Sequence, residues 1–75
     1  MAKRKDPLLR GLGWRVRQLR ESKGWTQESF AVRASLDRSY VAGIEAGLRN
    51  PSTKAVAKLA RALGVTLSQL FQNVG

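Results

Sequence analysis

Residues 25–46 read WTQESFAVRASLDRSYVAGIEA, and this stretch decides the fold. Its apolar residues recur at spacings of three and four, which is typical of α-helices rather than strands. Thr26 is a preferred N-cap residue and predicts a helix over residues 27–34, while Asp37 predicts the N-cap of a second helix over residues 38–46. Only three residues lie between the two helices. So short a connection between two short helices predicts a helix-turn-helix.

Three more helices are predicted around this stretch. Pro7 suits the first turn of a helix that ends near Lys23. Further along the chain, Ser52 predicts the N-cap of a fourth helix that is closed by Gly64, and Thr66 predicts the N-cap of a short fifth helix. The sequence therefore has five predicted helices and no predicted strand.

These helices predict one all-α domain over residues 7–75, preceded by a basic, flexible arm over residues 1–6. Each of the first four helices has apolar residues for a common core. They are Leu9, Leu12, Val16 and Leu19, then Phe30 and Ala34 with Leu36 of the following turn, then Val41 and Ile44 with Leu48 just beyond the helix, and finally Val56, Leu59, Ala60 and Leu63. Trp14 falls outside the first stripe, which predicts a partly exposed aromatic residue or, as the less favoured alternative, a self-association contact.

The composition is strongly basic for so short a chain. Fourteen lysines and arginines stand against five acidic residues, which gives a net charge of +9. Eight of these cations and only two of the acids precede Gly24, so the first third of the chain has a net charge of +6. Such a field predicts an anionic partner, but charge alone favours nucleic acid only modestly over a membrane surface.

Residues that the sequence lacks exclude several classes of function. There is no Cys and no His, so we expect no disulfide, no metal site and no cofactor, and we predict that the protein is not an enzyme. No stretch approaches the roughly 18 apolar residues of a membrane span, and the basic start leads into no apolar signal segment. We therefore expect no membrane partner and a cytoplasmic location, at the nucleoid of a bacterium or on phage DNA.

The central stretch resembles the Cro, phage-repressor and XRE family of transcriptional regulators. The motifs that carry the resemblance are WTQESFA at 25–31, LDRSYV at 36–41, IE at 44–45, Gly47, RNPS at 49–52 and ALGV at 62–65. The resemblance covers about residues 12–72 and implies a five-helix, lambda-repressor-like DNA-binding domain, with its helix-turn-helix at about residues 27–46. Where the family commonly has Gly, this chain has Ser35, and a left-handed backbone there would cost roughly 1 kcal/mol more.

A narrower resemblance links the chain to the controller proteins of restriction-modification systems. It rests on LDRSYV at 36–41, on GIE at 43–45 and on Arg49-Asn50. It implies that the protein regulates its own gene and times the expression of a restriction endonuclease.

The predicted recognition helix combines small residues with a few long side chains. Ser39, Ala42, Gly43 and Ala46 lie opposite the predicted buried stripe, and side chains this short let a helix approach base edges in the major groove. Arg38 is the candidate for a bidentate contact with guanine, and a phosphate contact is its alternative. Ser39 is a weaker candidate for either role. Tyr40 either gives its hydroxyl to DNA or packs as a structural ring.

Polar residues beside this helix are candidates for phosphate contacts. Gln27 begins the preceding helix, where the resemblance implies a phosphate contact and the helix dipole favours an anion. Arg49 and Asn50 follow the recognition helix and can clamp adjoining phosphates, with turn chemistry as the alternative, above all for Asn50. The resemblance also implies that Glu45 pairs with Arg20, which makes both residues structural.

Apolar residues of the last short helix predict a dimer contact. A terminal helix this short cannot bury them all in one small domain, although core packing remains open for Leu67 and Leu70. The candidates are Leu67, Leu70, Phe71 and Val74. We therefore predict a homodimer that binds a roughly palindromic double-stranded DNA operator.

The predicted dimer regulates transcription by blocking or recruiting RNA polymerase. The basic cluster at Lys3-Arg4-Lys5 predicts either a flexible arm that lies along the duplex or a terminus that is simply disordered.

The alternative function is a protein-interaction module, such as an antitoxin or an adaptor with the same fold.

Overall fold

The computed structural model describes residues 6–74, so the basic cluster at residues 3–5 lies outside the described residues. This part of the chain forms five helices and contains no strand. The helices are α1 (Pro7–Ser22), α2 (Gln27–Ala34), α3 (Arg38–Glu45), α4 (Thr53–Leu63) and α5 (Leu67–Leu70). The all-α prediction is confirmed and α2 has the predicted bounds, while α1 and α3 each end one residue earlier than predicted.

Side-chain oxygens cap the first turns of four helices. The Asp6 carboxylate accepts a backbone N–H of α1 at 2.8 Å, so Asp6, which the sequence placed at the end of the arm over residues 1–6, is the N-cap of α1. Thr26 and Ser52 each accept the N–H three residues further on at 3.1 Å. Thr66 begins α5 with a capping box. Each cap satisfies a backbone donor that has no partner within its helix.

One hydrophobic core is shared by all five helices. Its fully buried large side chains are Val16, Phe30, Val41, Ile44, Leu59, Leu63 and Leu70. Small residues complete it, since Ala31 and Ala34 of α2 are buried as well. The apolar stripes predicted for these helices therefore face one another, although Leu9, Leu19, Leu36 and Val56 are only half-buried.

The prediction that Leu48 belongs to this core is wrong. Its side chain is 67% exposed. Because α3 ends at Glu45 and Gly47 has a φ of +75°, the chain turns away from the helix axis before it reaches Leu48. The spacing of apolar residues continues past the end of α3, where it no longer indicates which side of the chain is buried.

The backbones of α1 and α3 meet at Gly13. A Cβ atom at this position would collide with the carbonyl oxygens of Ile44 and Glu45. Only glycine permits this approach, so Gly13 sets the distance between α1 and the C-terminal end of α3. No apolar pattern in the sequence indicated this contact.

Candidate nucleic-acid interface

A buried ion pair holds the C-terminal end of α3. The Arg20 guanidinium donates to the Glu45 carboxylate from Nε at 2.7 Å and from Nη2 at 3.0 Å, and Nη1 donates to the carbonyl oxygen of Trp25 at 2.7 Å. The side chains of Arg20 and Glu45 are only 10% and 3% exposed. Hydrogen bonding to Glu45 raises the pKa of Arg20, and burial opposes this effect. The Arg20–Glu45 bridge that the family resemblance implies is confirmed.

Gln27 takes part in the same network. Its Nε2 atom donates to Oε1 of Glu45 at 3.0 Å, and the residue is half-buried. The first residue of α2 is thereby tied to the last residue of α3. The phosphate contact of Gln27 stays a prediction, and the structure adds a structural role that the sequence did not indicate.

The N-terminal end of α3 is exposed. Among residues 6–74, Arg38 and Ser39 make no side-chain hydrogen bond, and both are exposed. Asp37 stands at the N-cap position, but its side chain accepts no hydrogen bond from the helix, contrary to prediction. The two residues predicted to contact bases therefore project from the exposed end of the helix.

The turn before α3 has the left-handed conformation that a glycine would favour. Ser35 has φ and ψ of 56° and 44°. Its N–H donates to the Val32 carbonyl at 3.1 Å, and the Leu36 N–H donates to the Ala31 carbonyl at 2.9 Å. These hydrogen bonds satisfy the last carbonyls of α2, so the turn keeps its helix-turn-helix geometry without glycine.

Tyr40 combines a packed ring with an accessible hydroxyl. The ring is half-buried against the core, and its hydroxyl oxygen accepts the Ser52 N–H at 3.2 Å. The guanidinium carbon of Arg49 lies 5.4 Å from the ring centroid, within the range of a cation–π contact. The bond from Ser52 uses only the hydroxyl oxygen as an acceptor, so the hydroxyl can still donate its proton to another group. A contact between this hydroxyl and DNA stays a prediction.

The predicted small-residue face differs from expectation at Ala42 and Gly43. Ala42 and Gly43 are both half-buried rather than open. A Cβ atom added to Gly43 would lie 2.5 Å from Cγ of Arg49, because the chain after α3 folds back over the helix. Arg49 and Asn50 are themselves exposed, beside this face.

The family of the chain follows from a match over most of its length. A family described as helix-turn-helix matches residues 16–70. The chain belongs to this helix-turn-helix family. A similar curated protein is the control protein C.MunI from a Mycoplasma species, which is 43% identical over 63 residues that cover 83% of this chain and 85% of C.MunI.

Solved structures of controller proteins share this helix-turn-helix fold. The crystal structure of the restriction-modification controller protein C.AhdI from Aeromonas hydrophila has a TM-score of 0.82 at 48% identity, over 84% of this chain and 96% of that one. A chain of the restriction-modification controller protein C.Esp1396I, from the structure of its tetramer in complex with its natural 35-base-pair operator, has a TM-score of 0.82 at 32% identity, over 91% of this chain and 90% of that one. The resemblances to the XRE family and to controller proteins are both confirmed.

The four residues that the sequence predicts for the dimer contact differ in exposure. Leu67 and Phe71 are 51% and 38% exposed, and Val74 is half-buried against the core. Leu70 is fully buried, so of the two roles that the sequence left open for it, the structure shows core packing. Its place in the single turn of α5 directs it into the core. The contacts of Leu67, Phe71 and Val74 stay predictions.

Arg15 and Trp14 lie on α1 and have different surroundings. The Arg15 guanidinium donates to the Gln69 carbonyl oxygen at 2.9 and 3.2 Å and so ties α5 to α1, which the sequence did not indicate. Trp14 is 63% exposed, as its position outside the apolar stripe predicted. It borders a groove of about 420 Å³ with Arg10 and Arg17.

The described residues hold no group of three or more potential metal ligands. None of the helices they form is long and apolar enough to cross a membrane.

Proposed function

We propose that the protein is a sequence-specific transcriptional regulator that binds double-stranded DNA. In this proposal it acts as a homodimer on a roughly palindromic operator, as the autoregulatory controller of a restriction-modification system. One observation carries the proposal: α3 is held at one end by the buried Arg20–Glu45 pair and presents Arg38 to solvent at the other. Similarity to C.AhdI and to the operator-bound C.Esp1396I supports it.

The exposed end of α3 supplies the proposed base contacts. An arginine on a helix in the major groove can form a bidentate pair with O6 and N7 of guanine, so Arg38 is assigned to base reading. Ser39 and the hydroxyl of Tyr40 are assigned to neighbouring base or phosphate oxygens. A rigidly held helix favours these contacts because it loses little freedom when it enters the groove.

Phosphate contacts position the helix in the proposed complex. Gln27 stands at the N-terminus of α2, where backbone N–H groups and the helix dipole favour an anion. Arg49 and Asn50 are exposed just after α3. Contacts of this kind set orientation on the duplex and carry no sequence information of their own.

The proposed homodimer places two copies of α3 in successive major grooves, about 34 Å apart. The exposed side chains of Leu67 and Phe71 supply the contact between the copies, with Val74 at its edge. Bound at a promoter, the dimer acts on transcription by blocking or recruiting RNA polymerase.

The test is selection of bound sequences from random duplex DNA, followed by affinity measurements at several salt concentrations. We expect an enriched inverted repeat and a steep loss of affinity with salt. If no inverted repeat is enriched and all duplexes bind equally, the sequence-specific function is wrong and a protein-interaction module takes its place.

Sedimentation tests the dimer separately from DNA binding. Phe71→Ser and Leu67→Ser should shift the protein towards monomer, because each removes an exposed apolar side chain from the proposed contact. Leu8→Ser is the matched control, since Leu8 is 50% exposed but lies on α1. Equal dissociation of all three variants, or of none, would contradict the assignment of this contact.

A further inference from the structure

Gly43 and Arg49 are held side by side by the backbone at the end of α3. The Gly43 carbonyl oxygen accepts the N–H of Leu48 at 2.9 Å and the N–H of Arg49 at 3.2 Å. These two bonds close the turn after the helix and bring the start of the Arg49 side chain against the face that carries Gly43. The position of the Arg49 backbone is therefore set within the protein, before any partner binds.

The side chain of Arg49 then runs back along α3. Its Cγ would lie 2.5 Å from a Cβ atom on Gly43, and its Cβ and Cδ would lie 3.6 Å from that atom. Its guanidinium carbon is 5.4 Å from the ring centroid of Tyr40, which stands three residues before Gly43 on the same face of the helix. The stem of the arginine thus covers Gly43, and its charged end lies over Tyr40.

Tyr40 provides a fixed platform for this charged end. Its hydroxyl oxygen accepts the Ser52 N–H, and its ring packs against the core. A methyl group on Gly43 would displace Cγ of Arg49, so the side chain would have to rotate about χ1 and the guanidinium would leave the ring. The absence of a side chain at Gly43 is what allows the arginine to lie along the helix.

We infer that Gly43 is a positioning residue, whose missing Cβ forms a seat for Arg49 on the exposed face of α3. The inference rests on the proposed DNA binding and changes the role of Gly43 within it. Gly43 acts through the arginine rather than by touching bases. The seat places the Arg49 cation over the recognition helix itself, where a phosphate beside the groove can meet it without prior ordering of a long side chain.

A double-mutant cycle separates this role from direct contact between Gly43 and DNA. The proteins are the wild type, Gly43→Ala, Arg49→Ala and the double variant, and each is titrated with the duplex selected as above. We expect Gly43→Ala and Arg49→Ala each to weaken binding by about tenfold and to lower the salt slope by about one. In the Arg49→Ala background, adding Gly43→Ala should change the affinity less than about twofold.

A second measurement requires no DNA. In the free wild-type protein, the ring current of Tyr40 should shift the NMR signals of the Arg49 side chain, and Gly43→Ala should remove this shift. Thermal unfolding of the same variant checks its fold, which should be retained because alanine is the better helix former.

Two outcomes would overturn the inference. One is an Arg49 ring-current shift that survives Gly43→Ala. The other is an equal loss of affinity from Gly43→Ala with and without Arg49, which would mean that Gly43 itself approaches the duplex. If the wild type binds no duplex, the proposed function fails and the role of the seat in DNA binding fails with it, while the NMR comparison still decides whether the seat exists.

Discussion

At its C-terminal end α3 is anchored through Glu45, whose carboxylate accepts two hydrogen bonds from Arg20 and one from Gln27. At its N-terminal end the same helix presents Arg38 and Ser39 to solvent, without a side-chain hydrogen bond among the described residues. The two ends of this eight-residue helix therefore have different roles. Changes at the anchored end should act on stability, and changes at the exposed end should act on binding.

The largest effect is expected from Glu45→Ala. Removing the carboxylate leaves the Arg20 guanidinium buried without its charged partner, so the free energy of unfolding should fall by about 3–5 kcal/mol. Urea unfolding measures this loss. Arg17→Ala is the control, because its pair with Glu21 is 3.2 Å long but exposed, and its removal should change little. An unchanged urea midpoint for Glu45→Ala would contradict the anchoring role.

Gly13→Ala should have the next largest effect. The added methyl group meets the carbonyl oxygens at the anchored end of α3, and relief requires a backbone shift, so stability should fall by about 1–3 kcal/mol. Gly43→Ala is the matched control, because its methyl meets only a flexible arginine side chain. If the urea midpoints fall equally for both variants, the backbone contact at Gly13 costs no more stability than the side-chain contact at Gly43.

Arg38→Ala tests the exposed end. We expect a loss of about 1–3 kcal/mol of discrimination at one base pair in each half-site, with stability within about 0.5 kcal/mol of the wild type. Repeating the sequence selection with the variant measures this loss. Arg61→Ala removes the same charge from α4 and should leave the selected sequence unchanged. Uniform weakening across all sequences would instead assign Arg38 to a phosphate.

Ser35→Gly should have the smallest effect and the opposite sign. Glycine adopts the left-handed backbone at this turn more readily than serine, so stability should rise by up to about 1 kcal/mol. Ser39→Gly, inside α3, should lower stability instead. Calorimetric melting of both variants checks the contrast, and a loss at Ser35 would show that its side chain contributes more than the strain costs.

Local rules predicted most of the helices because their ends depend on neighbours in sequence. Thr26, Ser52 and Thr66 each cap a backbone donor within the next three residues, and such signals can be read from the sequence directly. The left-handed turn at Ser35 was indicated only by the family resemblance, in which this position is commonly Gly. Asp37 shows the limit of the rule, because the residue type marked the right position without forming the bond.

Errors in the predicted surface have a different cause. Leu48 continues the apolar spacing of α3, yet its side chain is 67% exposed. It lies after the end of α3, where the chain changes direction at Gly47. Periodicity describes a regular helix and gives no information about the side on which the chain leaves it.

The sequence by itself determined that this chain forms five helices, that two of them make a helix-turn-helix, and that its charge suits an anionic partner. Only the tertiary structure decided which surfaces of those helices stay open. It brings Gln27 into a hydrogen bond with Glu45, packs the backbones of α1 and α3 together at Gly13, and packs the Arg49 side chain against Gly43. These contacts depend on where a turn directs the chain and on how closely two backbones approach, and neither quantity is encoded in the spacing of neighbouring residues.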